Sequence, residues 1–139
     1  MRILSIDFGS VRLGLAISDP LGFTAQGLET LRVTSKQKTL DTLVKLCKEH
    51  GVGEIVVGLP VNMNGTLGPK AAEILEWIKR LEQAAGVPVK TWDERLTSRE
   101  AGRLMIEEGL SRQKQRDHSD RLAATLILQN YLESKRSRT

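Results

Sequence analysis

The chain has 139 residues, 40% of them apolar, with 21 Lys+Arg against 17 Asp+Glu and a net charge of +4; that length suits one domain, 1–139, around a single core. Its one cysteine, Cys47, excludes a disulfide within the chain and suits a reducing compartment. No apolar run approaches the roughly 20 residues that span a bilayer, and Asp7 interrupts any signal-peptide core, so a cytoplasmic protein without membrane contact is expected.

Residues 2–8 read as a first strand, an apolar run that ends in Asp7-Phe8-Gly9. Residues 12–19 alternate Leu13, Leu15 and Ile17 and read as a second, joined to the first by a hairpin-length connection at Gly9-Ser10. A weaker third strand covers 24–33, after a turn at Pro20 and Gly22. Connections this short favour antiparallel pairing. Ser35 can cap a helix with Leu40, Leu43, Val44 and Cys47 on one face, ending near Gly51. That spacing makes Cys47 a core residue. Glu54 to Val57 reads as a short buried strand, followed by the loop GLPVNMNGTLG. Pro69 suits the first turn of a helix that buries Ala71, Leu75, Ile78 and Leu81 and ends at Gly86. Residues 87–92 form a fifth strand, and Thr97 with Glu100 fits a capping box for a helix ending near Gly109. Residues 111–118 are polar and basic and read as a mobile loop. The last helix is expected at about 118–133, with a flexible tail at 134–139. The order βββ, then αβαβαα, implies an α/β fold: a mixed sheet with three antiparallel strands followed by α-linked parallel strands, and helices on both faces.

Charge is unevenly spread. Residues 1–111 carry 14 basic and 14 acidic groups, so the remaining 7 basic and 3 acidic account for the whole +4. A localised basic segment suggests a polyanionic partner. Arg112, Lys114, Arg116 and Arg121 lie in it.

Three sets of acids stand out by position. Asp7 ends the first strand, Asp93-Glu94 follow the fifth, and Asp117 and Asp120 start the last helix. In open α/β sheets functional groups gather beyond the carboxyl ends of the strands, so Asp7 and Glu94 can share one rim. Asp120 lies three, four and seven residues before Ala123, Ala124 and Ile127, on the stripe that faces the sheet. Each acid has an ordinary reading: Asp7 could cap the turn at Gly9, Glu94 could pair with Arg95 or Arg99, and Asp117 and Asp120 could serve the helix dipole. Together on one rim they would repel and raise one another's pKa. A divalent cation removes that conflict, and hard oxygen ligands without a Cys/His cluster point to Mg²⁺ or Mn²⁺. Two such ions about 3.5–4 Å apart would clamp the attacking and leaving oxygens of a phosphodiester, with Asp7 bridging them.

Four stretches, "ILSIDFGSVRLGLAISD", "EIVVGLPVNMNGTLG", "VKTWDERLTSREA" and "DRLAATLILQNYLE", cover nearly the whole chain. In that order they resemble the RNase H-like YqgF/RuvX family of pre-16S rRNA nucleases and Holliday junction resolvases. The resemblance implies a five-stranded mixed sheet with flanking helices, and a carboxylate site at Asp7, Glu94 and Asp120. Related resolvases often place two acids one turn apart in the last helix, a spacing that Asp117 and Asp120 share. Where the family usually reads Thr-Thr after "DERL", this chain has Thr97-Ser98, which keeps a hydroxyl.

The expected function is metal-dependent phosphodiester hydrolysis, in 5′-end processing of pre-16S rRNA or, alternatively, on four-way DNA junctions. The partner is then structured RNA or branched DNA, with ribosomal precursor particles a further one, and the enzyme a monomer or a homodimer. In the loop, Gly58, Gly65 and Gly68 can let backbone amides approach a phosphate, and Lys70 sits at the following helix N-terminus. With Arg112, Lys114, Arg116 and Arg121 it would neutralise substrate phosphates. Trp77 and Tyr131 fall on helix faces and read as packing residues, which favours recognition of shape and backbone over base stacking. A sugar kinase or actin-like ATPase also opens with Asp-x-Gly but needs two such domains. A protein kinase needs a Gly-rich loop and catalytic loop that are missing. A basic RNA-binding assembly factor, with the acids as caps, is the non-enzymatic alternative.

Overall fold

The computed structural model describes residues 1–9, 11–96 and 112–137, with backbone alone for 112–120 and 137. Strands β1 (Arg2–Phe8), β2 (Arg12–Ser18) and β3 (Ala25–Arg32) form an antiparallel meander. Strands β4 (Val52–Leu59) and β5 (Val89–Asp93) run parallel to β1, giving the order β3-β2-β1-β4-β5. The expected mixed five-stranded sheet is therefore the observed one.

Alternation along β1 divides the molecule into layers. Leu4, Ile6 and Phe8 join Leu13, Leu15, Ile55 and Val57 against helices α1 (Lys36–His50) and α2 (Pro69–Ala85). Ile3 points the other way, with Ala16 and Val56, against helix α3 (Arg112–Ser137). Ser5 and Asp7 share Ile3's face by the two-residue period of a strand. The helices on the first face carry the signals expected of them. The Ser35 side chain caps α1 by accepting from the Lys38 amide, and Gly51 ends it in the left-handed conformation. Pro69 opens α2. Trp77 packs on Phe8 with ring centroids 5.4 Å apart, and Cys47 is buried in the same layer.

Helix α3 is fastened at two levels. Ser5 Oγ donates to the Ala124 carbonyl at 2.7 Å in a fully buried setting. Farther along, the Glu54 carboxylate accepts from Tyr131 Oη at 3.1 Å and Lys135 Nζ at 2.8 Å. Glu54 pairs with Ile3 near the start of β1, so α3 runs antiparallel to β1 and its N-terminal turns approach the carboxyl ends of β1, β4 and β5.

Two sequence expectations are corrected here. The loop expected at 111–118 belongs to α3, which begins at Arg112. That stretch holds neither Gly nor Pro, and its Arg, Gln and Lys residues propagate a helix well despite their charge. The flexible tail expected from 134 is helical through Ser137, with Lys135 held by Glu54 and Arg136 donating to the Phe23 carbonyl at 3.3 Å. The helix expected after Thr97 lies outside the described residues.

Because α3 is held by its apolar seam and the Ser5 bond, Leu128→Ala, at a position with no exposure, should cost about 2–5 kcal/mol. Ser5→Ala should cost about 1 kcal/mol. Urea unfolding read by tryptophan fluorescence measures both.

Candidate active site

Asp7 stands one residue from the end of β1, in the α3 layer, with little to cover it on either neighbouring strand. Its cross-strand partner on β2 is Gly14. On the other side, one step beyond the Ile6–Val57 pair, Gly58 of β4 comes level with it. The carboxylate therefore sits in a bare lane of the sheet, flanked by glycines.

Glu94 enters that lane from β5. Trp92 pairs with Gly58, and the chain then turns through a single 3-10 turn, Glu94–Leu96. A Cβ added at Gly58 would lie 2.8 Å from Glu94 Oε1 and 2.7 Å from Ile127 Cδ1. Gly58 thus makes room for Glu94, a different task from the phosphate approach expected of it, because it lies within β4 and not in the loop after it. Gly65 does serve the loop: at φ +85° it closes a turn in which its amide donates to the Asn62 carbonyl at 2.8 Å.

The Glu94 carboxyl lies close enough to Asp7 for the two groups to act on each other. Burial, then the hydrogen bond and negative charge of Glu94, push Asp7 from 3.8 up to about 7, against the pull of Lys70. The turn at Gly9 and the pairing of Glu94 with Arg95 are not what the structure uses these acids for; Arg99, the other partner expected for Glu94, lies outside the described residues. The turn at Gly9 is closed by its own amide, which donates to the Arg12 carbonyl at 2.9 Å. Arg95 is engaged by Asp93 instead of Glu94, with Nη2 2.7 Å from Oδ2, and its Nη1 reaches the Asn62 carbonyl at 3.4 Å.

The other predicted site residues fall as follows. Lys70 is exposed near the start of α2, close enough for its charge to act on Asp7. Asp120 lies on α3 one turn before Ala124, on the rim side of the Ser5 contact. Asp117, Arg112, Lys114 and Arg116 lie in the preceding turns of α3. The side chains of these five α3 residues are outside what the structure describes. Arg121 lays its stem across Gly27 of β3, on the same face as Asp7. Among the described residues no third His, Cys, Asp or Glu joins the pair to make a metal-ligating group. The pair itself is an oxygen-only donor set with a proton to displace, which fits a hard divalent cation.

A family model described as "RuvX: Holliday junction resolvase" matches residues 1–134. A Clostridium botulinum protein (strain Alaska E43) named "Putative pre-16S rRNA nuclease" is 50% identical over 133 residues, covering 96% of this chain and 97% of the relative. The protein of that name from strain Hall is 49% identical over 134 residues, covering 96% and 98%. In fold, the chain is similar to Thermus thermophilus RuvC in complex with a Holliday junction substrate, at TM-score 0.62 and 17% identity over 99% of this chain and 96% of that one. It is also similar to the fowlpox virus Holliday junction resolvase, at TM-score 0.54 and 16% identity over 96% and 99%.

The raised Asp7 fixes a pH dependence. The unfolded chain loses this proton near 3.8, the folded chain only near 7, so the metal-free protein loses stability as pH rises between them. In chelator, Asp7→Asn should gain stability relative to the native protein across that window. Urea midpoints taken at several pH values test this, and a pH-independent difference would contradict it. Gly58→Ala should displace Glu94 and remove a charged hydrogen bond of roughly 1.5–3 kcal/mol, lowering the Asp7 pKa by about one to two pH units. Carboxyl-carbon NMR titration reads that change.

Proposed function

The chain belongs to the RuvX family, and from that membership together with the Asp7–Glu94 pair we propose that it is a divalent-metal-dependent nuclease of the bacterial cytoplasm that processes the 5′ end of pre-16S rRNA. The observation that carries this reading is the convergence of two carboxyl groups at the carboxyl-end rim of the sheet, Asp7 at the end of β1 and Glu94 in the space that Gly58 leaves beside it. Such a pair stores a conflict that a proton relieves at rest and a cation relieves in use.

Mg²⁺ or Mn²⁺ bound there would supply Lewis-acid activation of a phosphodiester, and two ions would do so from both sides of the phosphorus. The chain's own part is to hold and aim. Asp7, central in the glycine lane, and Glu94, set by Gly58, would hold the metal from the sheet. Asp120 would hold it from α3, with Asp117 one turn earlier as a further ligand. Lys70 holds positive charge beside the pair, where the flanking phosphate would lie. Arg112, Lys114, Arg116 and Arg121 would neutralise phosphates along α3, a sequence-independent contribution that weakens as salt rises.

A second reading, resolution of four-way DNA junctions, is favoured by the match in fold to RuvC over nearly the full length of both chains. It would call for a two-fold dimer with sites on opposed strands. A non-catalytic RNA-binding factor is disfavoured, because a protein that uses its acids only as caps has no use for two carboxyls converging on one rim. The test sets a pre-16S rRNA fragment and a four-way junction side by side, in Mg²⁺, in Mn²⁺ and in chelator. Loss of several kcal/mol of metal-derived stabilisation means that Asp7→Asn should lose on the order of 10³-fold or more in cleavage rate while its thermal unfolding stays cooperative. Cleavage retained by Asp7→Asn would defeat the proposal. Cleavage confined to the junction would decide for the second reading.

A further inference from the structure

Three arginines from three elements reach the α3 face of the sheet on the side of Asp7 away from Glu94. Arg12 opens β2 and Arg32 closes β3, and the two are direct cross-strand partners. Leu13, Leu15 and Ile17 face the α1–α2 layer, whereas Ala16 faces α3. By strand alternation Arg12 and Gly14 then lie on the α3 face with Ala16, and Arg32 lies beside Arg12. Gly14 is the partner of Asp7, which makes Arg12 the next position along that face toward the rim.

The third arginine is built in. A Cβ at Gly27 would come 2.4 Å from Arg121 Cγ and 2.8 Å from Cδ, so β3 omits a side chain where the stem of Arg121 crosses it. Arg121 Nε is buried and has no hydrogen-bond partner among the described residues. A guanidinium held in this way keeps a directed donor in reserve, and its planar fork suits phosphate oxygens.

We propose that Arg12, Arg32 and Arg121 bind the sugar–phosphate backbone of the nucleic-acid strand on the β2–β3 side of the Asp7–Glu94 pair. The strand then crosses the rim from β5 toward β3, with the scissile phosphate over Asp7 and the neighbouring phosphates over the arginines. The direction of this path rests on the nuclease reading of the carboxyl pair. The arginine site itself is testable without cleavage.

A fluorescein-labelled single-stranded RNA oligonucleotide, titrated by anisotropy in chelator across a salt series, tests it. Arg32→Ala, at an exposed position, should weaken binding about tenfold and lower the slope of log K against log salt by roughly 0.7. Arg121→Lys keeps the charge but removes Nε, and should also weaken binding. Lys79→Ala, an exposed change on α2 in the opposite layer, should leave both quantities unchanged. Unaltered affinity and slope in Arg32→Ala and Arg121→Lys, or equal loss in Lys79→Ala, would overturn the proposal, as would a native protein that binds no RNA or DNA oligonucleotide. A native protein that binds through these arginines yet cleaves nothing in Mg²⁺ or Mn²⁺ would defeat the nuclease reading and leave the backbone site standing. Should Arg121→Lys fail to fold, the exposed Arg32 carries the test.

Discussion

Two carboxyl groups that converge in a buried place need a proton or a cation between them, and the rest of this fold is arranged around that constraint. Asp7 needs a strand end to bring it to the rim and a helix on its face to keep water away. Glu94 needs a parallel neighbour that finishes beside β1, with β4 between them stripped of a side chain. The crossover helices α1 and α2 meet the first demand of Glu94, because they return the chain so that β4 and β5 end where β1 ends. Helix α3 supplies the cover. Its Ile127 and Glu94 converge on the same empty position at Gly58, so the packing of the apolar layer and the placement of the acid are one arrangement.

The same layer shows how this chain treats a buried carboxylate that has only a structural task. Glu54 is 7% exposed, yet it receives a hydroxyl and an ammonium, and the ammonium sits over the Tyr131 ring at 5.3 Å. That acid is matched within the protein. It anchors the C-terminal half of α3 at the amino end of β1. At the carboxyl end of β1, Asp7 is buried beside another acid, with Lys70 only partly opposing, and its proton affinity rises accordingly. A satisfied acid of β4 thus stands beside the start of β1, and β1 carries an acid facing another acid at its own end. On the proposed reading, the difference marks where external charge is accepted.

Much of this was legible in the sequence for definite reasons. The strands of the meander alternate cleanly, and α1 and α2 carry their caps in the letters, so layers and order follow from period and punctuation. Asp7 and Glu94 were visible because each breaks an apolar run at the end of a strand. What escaped reading depended on pairing across the sheet. Gly58 reads as part of a glycine-rich loop until β4 is seen to extend through Leu59. Gly27 gives no local signal, because its partner Arg121 is far away in sequence. The opposition of Arg12 and Arg32 is a matter of register, which no single strand reveals. The start of α3 departs from the loop expected there because helix propensity outweighs the dense charge of that stretch.

Glycine, rather than any side chain, turns out to set the directionality of the rim. Gly58 clears space for an acid on the β5 side and Gly27 clears space for a base on the β3 side. Gly14 lies between them as the partner of Asp7. Filling either outer position would push a functional side chain aside while leaving the strand ladder intact, so these glycines fix geometry more than they fix the fold. Acid on one flank of Asp7 and arginine on the other give the rim a charge gradient along the sheet. A polyanion laid across such a gradient has one preferred side for its backbone and one for the bond under attack.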